Sequence, residues 1–383
     1  MVTPCARLIP PYLMNRRELL FSALGTSALA AGCSRKLSPR YLGWLLVARA
    51  TEKGIAVADL SEFRHITTLS LNETPGQILR VGSKVFATCP EASQLVEIDT
   101  SRFSAGIRVQ MPGRIVAAAA APDAGLLVLA TSQPATLVIV EAKSARILHR
   151  IPLSSDPSGL DVSGAVAAVA GRTTDNITRF SLKDGRLLGA TKLGEVCASM
   201  RFRNDGRAIL AGLPNSRQIV TLNAETGALL ARLPLRFAPG RFCFNADGGQ
   251  MFVTAVGEDA VAIVSPYQSQ VDQTIVAGRT PWGMAVSATR NLLLISNPAS
   301  GDLTILDIET RRLSASVHIG GEPGEVLLTP DEEYALVISR DAGDVAVVRM
   351  RTVLDRSVKT KPLLTMFPMG GLPQSTLIIP KEA

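Results

Sequence analysis

Pro281-Trp282-Gly283-Met284-Ala285-Val286, Leu292 to Ser296, Asp302-Leu303-Thr304-Ile305-Leu306-Asp307 and Ser316-Val317-His318-Ile319-Gly320-Gly321 are four short apolar runs in succession, and Pro323-Gly324-Glu325 then starts the series again. Runs of this length, bounded by Gly, Pro, Asn and Asp, are strands rather than helices. The same unit starts at Pro75, Pro112, Pro157, Cys197 (where Pro is replaced), Pro239, Pro281, Pro323 and Pro373, and Pro239, Pro281 and Pro323 stand 42 residues apart. About 42 residues hold four strands, the size of a propeller blade.

Turn chemistry points the same way. Between the first and second strands lie Pro122-Asp123-Ala124-Gly125, Asn204-Asp205-Gly206, Ala246-Asp247-Gly248 and Pro330-Asp331-Glu332, residue types that tolerate turn dihedrals and cap their own backbone. Third strands such as Leu137-Val138-Ile139-Val140 and Val345-Ala346-Val347-Val348 are continuously apolar, so both of their faces are covered. The N-terminal part of the body supplies only three strands, Leu45 to Ala48, Ile55 to Leu60 and Ile66 to Leu71, and Thr376-Leu377-Ile378-Ile379 is a lone strand at the other end. Sharing one blade between the ends closes a ring and removes free sheet edges. The expected fold is therefore all-β, a propeller over residues 41–383 with eight four-stranded blades; seven would result if Val353 to Pro362 were an irregular insert.

The composition fits this architecture. Of 383 residues 46% are hydrophobic and 19% charged, which excludes a disordered chain; aromatics are 4%, so Ala, Val, Leu and Ile build the core. The formal charge of +7 is spread without a Lys/Arg block, a bias toward anionic partners rather than nucleic acid. Residues 1–40 read as a leader, an export signal and a short linker. Arg16-Arg17 precede a run from Phe21 to Gly32 that carries no charge and is too short to span a bilayer. Met14 is a credible start. Asn15-Arg16-Arg17-Glu18-Leu19-Leu20 resembles a twin-arginine export motif, with Asn15 where Ser or Thr is usual. Ala30-Ala31-Gly32-Cys33 resembles a lipobox with Ala30 in place of Leu, which implies lipidation of Cys33 and a membrane attachment by lipid alone; cleavage after Ala30 is the alternative. The expected location is extracytoplasmic, the periplasm or cell envelope.

The repeat resembles the YVTN-type β-propeller proteins of bacteria. Ile295-Ser296-Asn297 stands for the Val-Thr-Asn element, and Gly301 to Thr310 for the third strand and its turn. The resemblance is close over Pro239 to Arg349 and looser over Tyr41 to Leu235. Its motif residues are structural, so it implies a fold more than an activity. Related families include surface-layer proteins, lactonases of the phosphogluconolactonase type and the haem d1 propeller.

The sequence offers no catalytic set. His65, His149 and His318 fall in expected fourth strands, at the outer edges of three blades, whereas a haem d1 site needs a channel-facing axial His. There is no Gly-x-Ser-x-Gly elbow with a partner His, no HExxH, no P-loop, and no CxxC or CxxCH; neither metal, haem nor another cofactor is expected. Cys89, Cys197 and Cys243 read as small buried hydrophobes. Chemistry, if any, belongs at the rim formed by the loops from fourth to first strand and from second to third. That rim collects Arg49, Arg114, Arg172, Arg217, Arg241, Arg279 and Arg340 with Trp282, alongside Glu73, Glu91, Asp156, Asp175, Glu195, Glu258, Glu322, Glu325 and Asp341. The arginines could hold an anion through paired N–H donors, and Trp282 beside Arg241 and Arg279 could form a stacking platform. The acids are as numerous, and mutual pairing would leave a neutral, solvated face. Trp44 reads as core. The function that follows is a binding module for a protein, a glycan or a small anion at one rim, through Arg114, Arg172, Arg217, Arg241, Arg279, Trp282, Glu325 and Arg340, with a lactonase-like hydrolase as the alternative.

Overall fold

The computed structural model describes residues 40–354 and 361–381. The signal arginines Arg16 and Arg17, the lipidation candidate Cys33 and most of the Val353 to Pro362 stretch lie outside the described residues. Thirty-two strands form eight four-stranded antiparallel sheets. Each is a blade of a β-propeller. Blade 1 joins the strand Pro373–Pro380 to Gly43–Arg49, Gly54–Asp59 and Arg64–Ser70, with Leu46 opposite Leu377 and Gly43 opposite Pro380. The remaining blades follow in chain order: blade 2 within residues 78–110, blade 3 within 114–152, blade 4 within 157–192, blade 5 within 199–234, blade 6 within 238–276, blade 7 within 284–318 and blade 8 within 323–368. A short helix, Met350–Leu354, follows the third strand of blade 8 and leaves the count at eight.

The core is distributed. Eight apolar clusters are each shared by two adjacent blades, for example Leu294, Ile305, Val337 and Val348 between blades 7 and 8, and Leu127, Val138, Phe86 and Leu95 between blades 2 and 3. The second and third strands of each blade are buried on both faces, which explains their continuous apolar runs. The innermost strands are only partly buried because they line the central channel, as in Ser199–Phe202 and Met284–Ser287. All three histidines lie on outermost strands. Trp44 is half-buried, not core: its ring meets Phe103 edge-on at 5.3 Å and the Lys381 ammonium lies 4.2 Å from its centroid.

Candidate functional site at the channel mouth

The Pro-Gly corner of the repeat builds the mouth. Five innermost strands slip register at their first residues, between Pro239 and Phe242 in blade 6 and between Pro323 and Val326 in blade 8 among them. Such a bulge takes residues out of the ladder and re-aims them. Arg241 sits in the blade 6 bulge and Glu325 in that of blade 8. The backbone of the corner is held by a hydroxyl from the second strand, in blades with and without the bulge: Arg241 N–H donates to Thr254 Oγ1 at 2.8 Å, Gln77 N–H to Thr88 Oγ1 at 2.8 Å and Gly283 N–H to Ser296 Oγ at 2.9 Å. Ser296 Oγ also donates to the Gly324 carbonyl, tying blade 7 to blade 8. A Cβ at Gly283 would collide with that carbonyl, so glycine is required by close approach of the two blades.

Four candidates converge here. The Arg241 guanidinium lies 3.6 Å from the centroid of the Trp282 ring and that of Arg340 4.9 Å from it, so one indole draws cations from blades 6 and 8. The stem of Arg340 runs along the backbone of Gly324, where any side chain would block it. Glu325 accepts a hydrogen bond from Thr376 Oγ1 at 2.7 Å, across the closure into blade 1. Burial pushes the Glu325 carboxyl up, partly offset by Thr376 and by the charge of Arg241. Burial likewise lowers the pKa of Arg241, with Glu325 opposing the shift and Arg340 adding to it. Both groups touch solvent yet are walled in by neighbouring blades, as expected in a funnel. Beside them opens a cavity of about 530 Å³ whose walls include Ala198, Pro239, Val256, Pro281 and Pro298, with Arg241 and Arg340 as its charged lining.

The other candidates do not join this cluster. Arg114 is in an ion pair with Glu91 at 2.8 Å, and Arg217 donates to the Arg236 carbonyl at 3.3 Å. Arg172 and Arg279 are exposed. Arg49 turns inward, donating to the Met369 carbonyl at 3.1 Å and pairing with Glu52. General pairing of the rim charges is not what the structure contains. Several acids are committed to turn backbone instead: Glu195 accepts from the N–H groups of Asn215 and Ser216, Asp259 from Thr280 and Asp341 from Ala342. Among the described residues no carboxylate pairs with Arg241 or Arg340, and no group of three or more His, Cys, Asp and Glu could hold a metal.

Solved structures share the architecture. The dihydro-haem d1 dehydrogenase NirN in complex with DHE is 15% identical with a TM-score of 0.73, over 88% of this chain and 75% of that one. Apo AztD from Citrobacter koseri is 13% identical, TM-score 0.65, over 88% and 98%, and BamB from Moraxella catarrhalis is 13% identical, TM-score 0.60, over 78% and 89%. No protein-family model matches the chain, and no curated protein matches its sequence. At these identities the likeness establishes the fold alone.

Three contributors escape a reading of the sequence. Thr254 has a signal: it stands in its unit where Ser296 and Thr88 stand in theirs. Thr376 has none, since its partner lies across the ring closure. The third is a pair in the channel, Asp161 with Arg201 at 4.0 Å, in which burial pushes Asp161 up while Arg201 and the Phe202 N–H pull it down. The thiols are raised by burial, Cys89 and Cys243 to about 11 and Cys197 to about 12, as suits packing residues rather than nucleophiles.

Proposed function

We propose that this chain is an exported YVTN-type propeller, tethered through a lipid on Cys33, that binds an anionic ligand at its channel mouth. The observation that supports binding is the Trp282 ring beneath two guanidiniums that have no carboxylate partner, next to an open cavity. Stacked guanidiniums keep their N–H edges free for an anion while the indole fixes their planes. The ligand is a small anion or an acidic group of a protein or glycan. Trp282 supplies its own reporter once Trp44→Phe removes the other tryptophan. Titration with carboxylates, phosphates and acidic peptides should change its fluorescence saturably, and Arg241→Ala with Arg340→Ala should weaken the response at least tenfold. Silence toward every anion class would overturn the reading. The tether is tested by intact mass and membrane partitioning of the mature protein, where cleavage after Ala30 without lipid would sink it.

A lactonase-like hydrolase is the second reading, favoured by the buried Glu325 carboxyl beside Arg241, an acid with a cation near it. Hydrolysis of a δ-lactone that disappears in Glu325→Gln would establish it.

A further inference from the structure

The walls of the mouth say more about the ligand than its charge does. Its hydrogen-bonding capacity is largely spent: Thr254 Oγ1 takes the Arg241 N–H, and Thr280 donates to the Arg279 carbonyl while accepting from the Ala299 N–H. Two backbone donors that could cradle a phosphate are also used, Arg241 N–H by Thr254 and Trp282 N–H by the Ser296 carbonyl. The third lining hydroxyl, Ser199 Oγ, is buried without a partner. Apart from that one hydroxyl the wall is apolar, with Pro239, Pro281, Pro298, Ala255 and Val256. Val256, in the cavity wall, stays 60% exposed.

The charge of the mouth comes from the Arg241 and Arg340 guanidiniums, and Glu325 acts electrostatically on Arg241 without an ion pair. A polyol or sugar acid would forfeit hydrogen bonds to water that these walls cannot replace, whereas an apolar body gains by leaving water.

We propose that the mouth binds an apolar organic acid with one carboxylate, aromatic or long-chain aliphatic, its carboxylate on Arg241 and Arg340 and its body against the proline-lined wall. This rests on the anion-binding reading and narrows it. The volume lies within the range of small-molecule sites.

The test is calorimetric titration of the whole chain carrying Trp44→Phe with 1-naphthoate, decanoate, gluconate and inorganic phosphate. Naphthoate and decanoate should bind one per chain, at least tenfold more tightly than the other two. Val256→Asp, at a position already exposed, should weaken them at least tenfold with the melting temperature unchanged. Arg241→Gln with Arg340→Gln should do the same, and unaltered affinity in that variant would overturn the carboxylate's placement. Gluconate or phosphate binding as tightly as naphthoate would overturn the ligand class and leave the anion site standing. No heat with any of the four, and none with acidic peptides, would remove both.

Discussion

Glu325 shows how one residue of the repeat acquires a property through its neighbours. As the third residue of a Pro-Gly-x corner it occupies an ordinary bulge position, but blades 1, 6 and 8 surround it and burial raises its pKa. A carboxyl raised in the fold contributes stability below its unfolded value, and that contribution is lost as pH rises through the folded value. Glu325→Gln should therefore raise the melting temperature at pH 7, with the gain fading as pH falls below the ordinary glutamate range. A gain that persists at pH 3 would show that the carboxyl is not the cause. Thr254 makes the complementary case. Replacing its hydroxyl by a methyl in Thr254→Val leaves the Arg241 N–H without its acceptor, at a cost of about 1–3 kcal/mol. Urea unfolding reads that loss, and the Trp282 spectrum should shift as Arg241 loses its anchor. Trp282 was legible in the sequence as a platform beside Arg241; Arg340 as its second cation was not, because their approach crosses from blade 7 to blade 8.

At the scale of elements, the deciding feature is the strand Pro373–Pro380, which completes blade 1 from the far end of the chain. Its last described residue reinforces the seam: Lys381 Nζ donates to both carboxylate oxygens of Asp59, at 3.0 and 2.9 Å, and to Ser61 Oγ. Burial alone would push Asp59 up, but hydrogen bonds from Ser61 and Lys381 more than offset it and hold the carboxyl below the usual range. A depressed carboxyl contributes stability above its unfolded value and loses it as pH falls toward the folded one. Lys381→Ala should thus cost about 1 kcal/mol at neutral pH, and the difference from the parent should vanish on acidification below the ordinary aspartate range. The spacing of the Pro-Gly corners favoured eight blades over seven, and the strand Leu363–Pro368, which follows the short helix Met350–Leu354, completes the eighth.

The molecule as a whole stores its hydrophobic core in eight wedges, none of which belongs to a single blade. No blade can be removed without unpacking two neighbours. Deleting residues 373–383 should consequently do more than weaken one sheet: it opens the ring, bares the edge of Gly43–Arg49 and exposes the wedge containing Leu45, Val47 and Ile338. Circular dichroism and light scattering should report loss of the cooperative transition and association; a soluble truncated chain with the parent's melting temperature would refute the closure's importance. The sequence by itself determined the blade, its repetition, the closing strand and the outer placement of the histidines. These rest on local spacing, turn residues and apolar periodicity, which act within one unit. Only the tertiary structure decided which rim charges meet. Seven arginines look alike along the chain, and what separates Arg241 and Arg340 from Arg114 or Arg49 is whether a neighbouring blade presents a carboxylate, a carbonyl or an indole to each one.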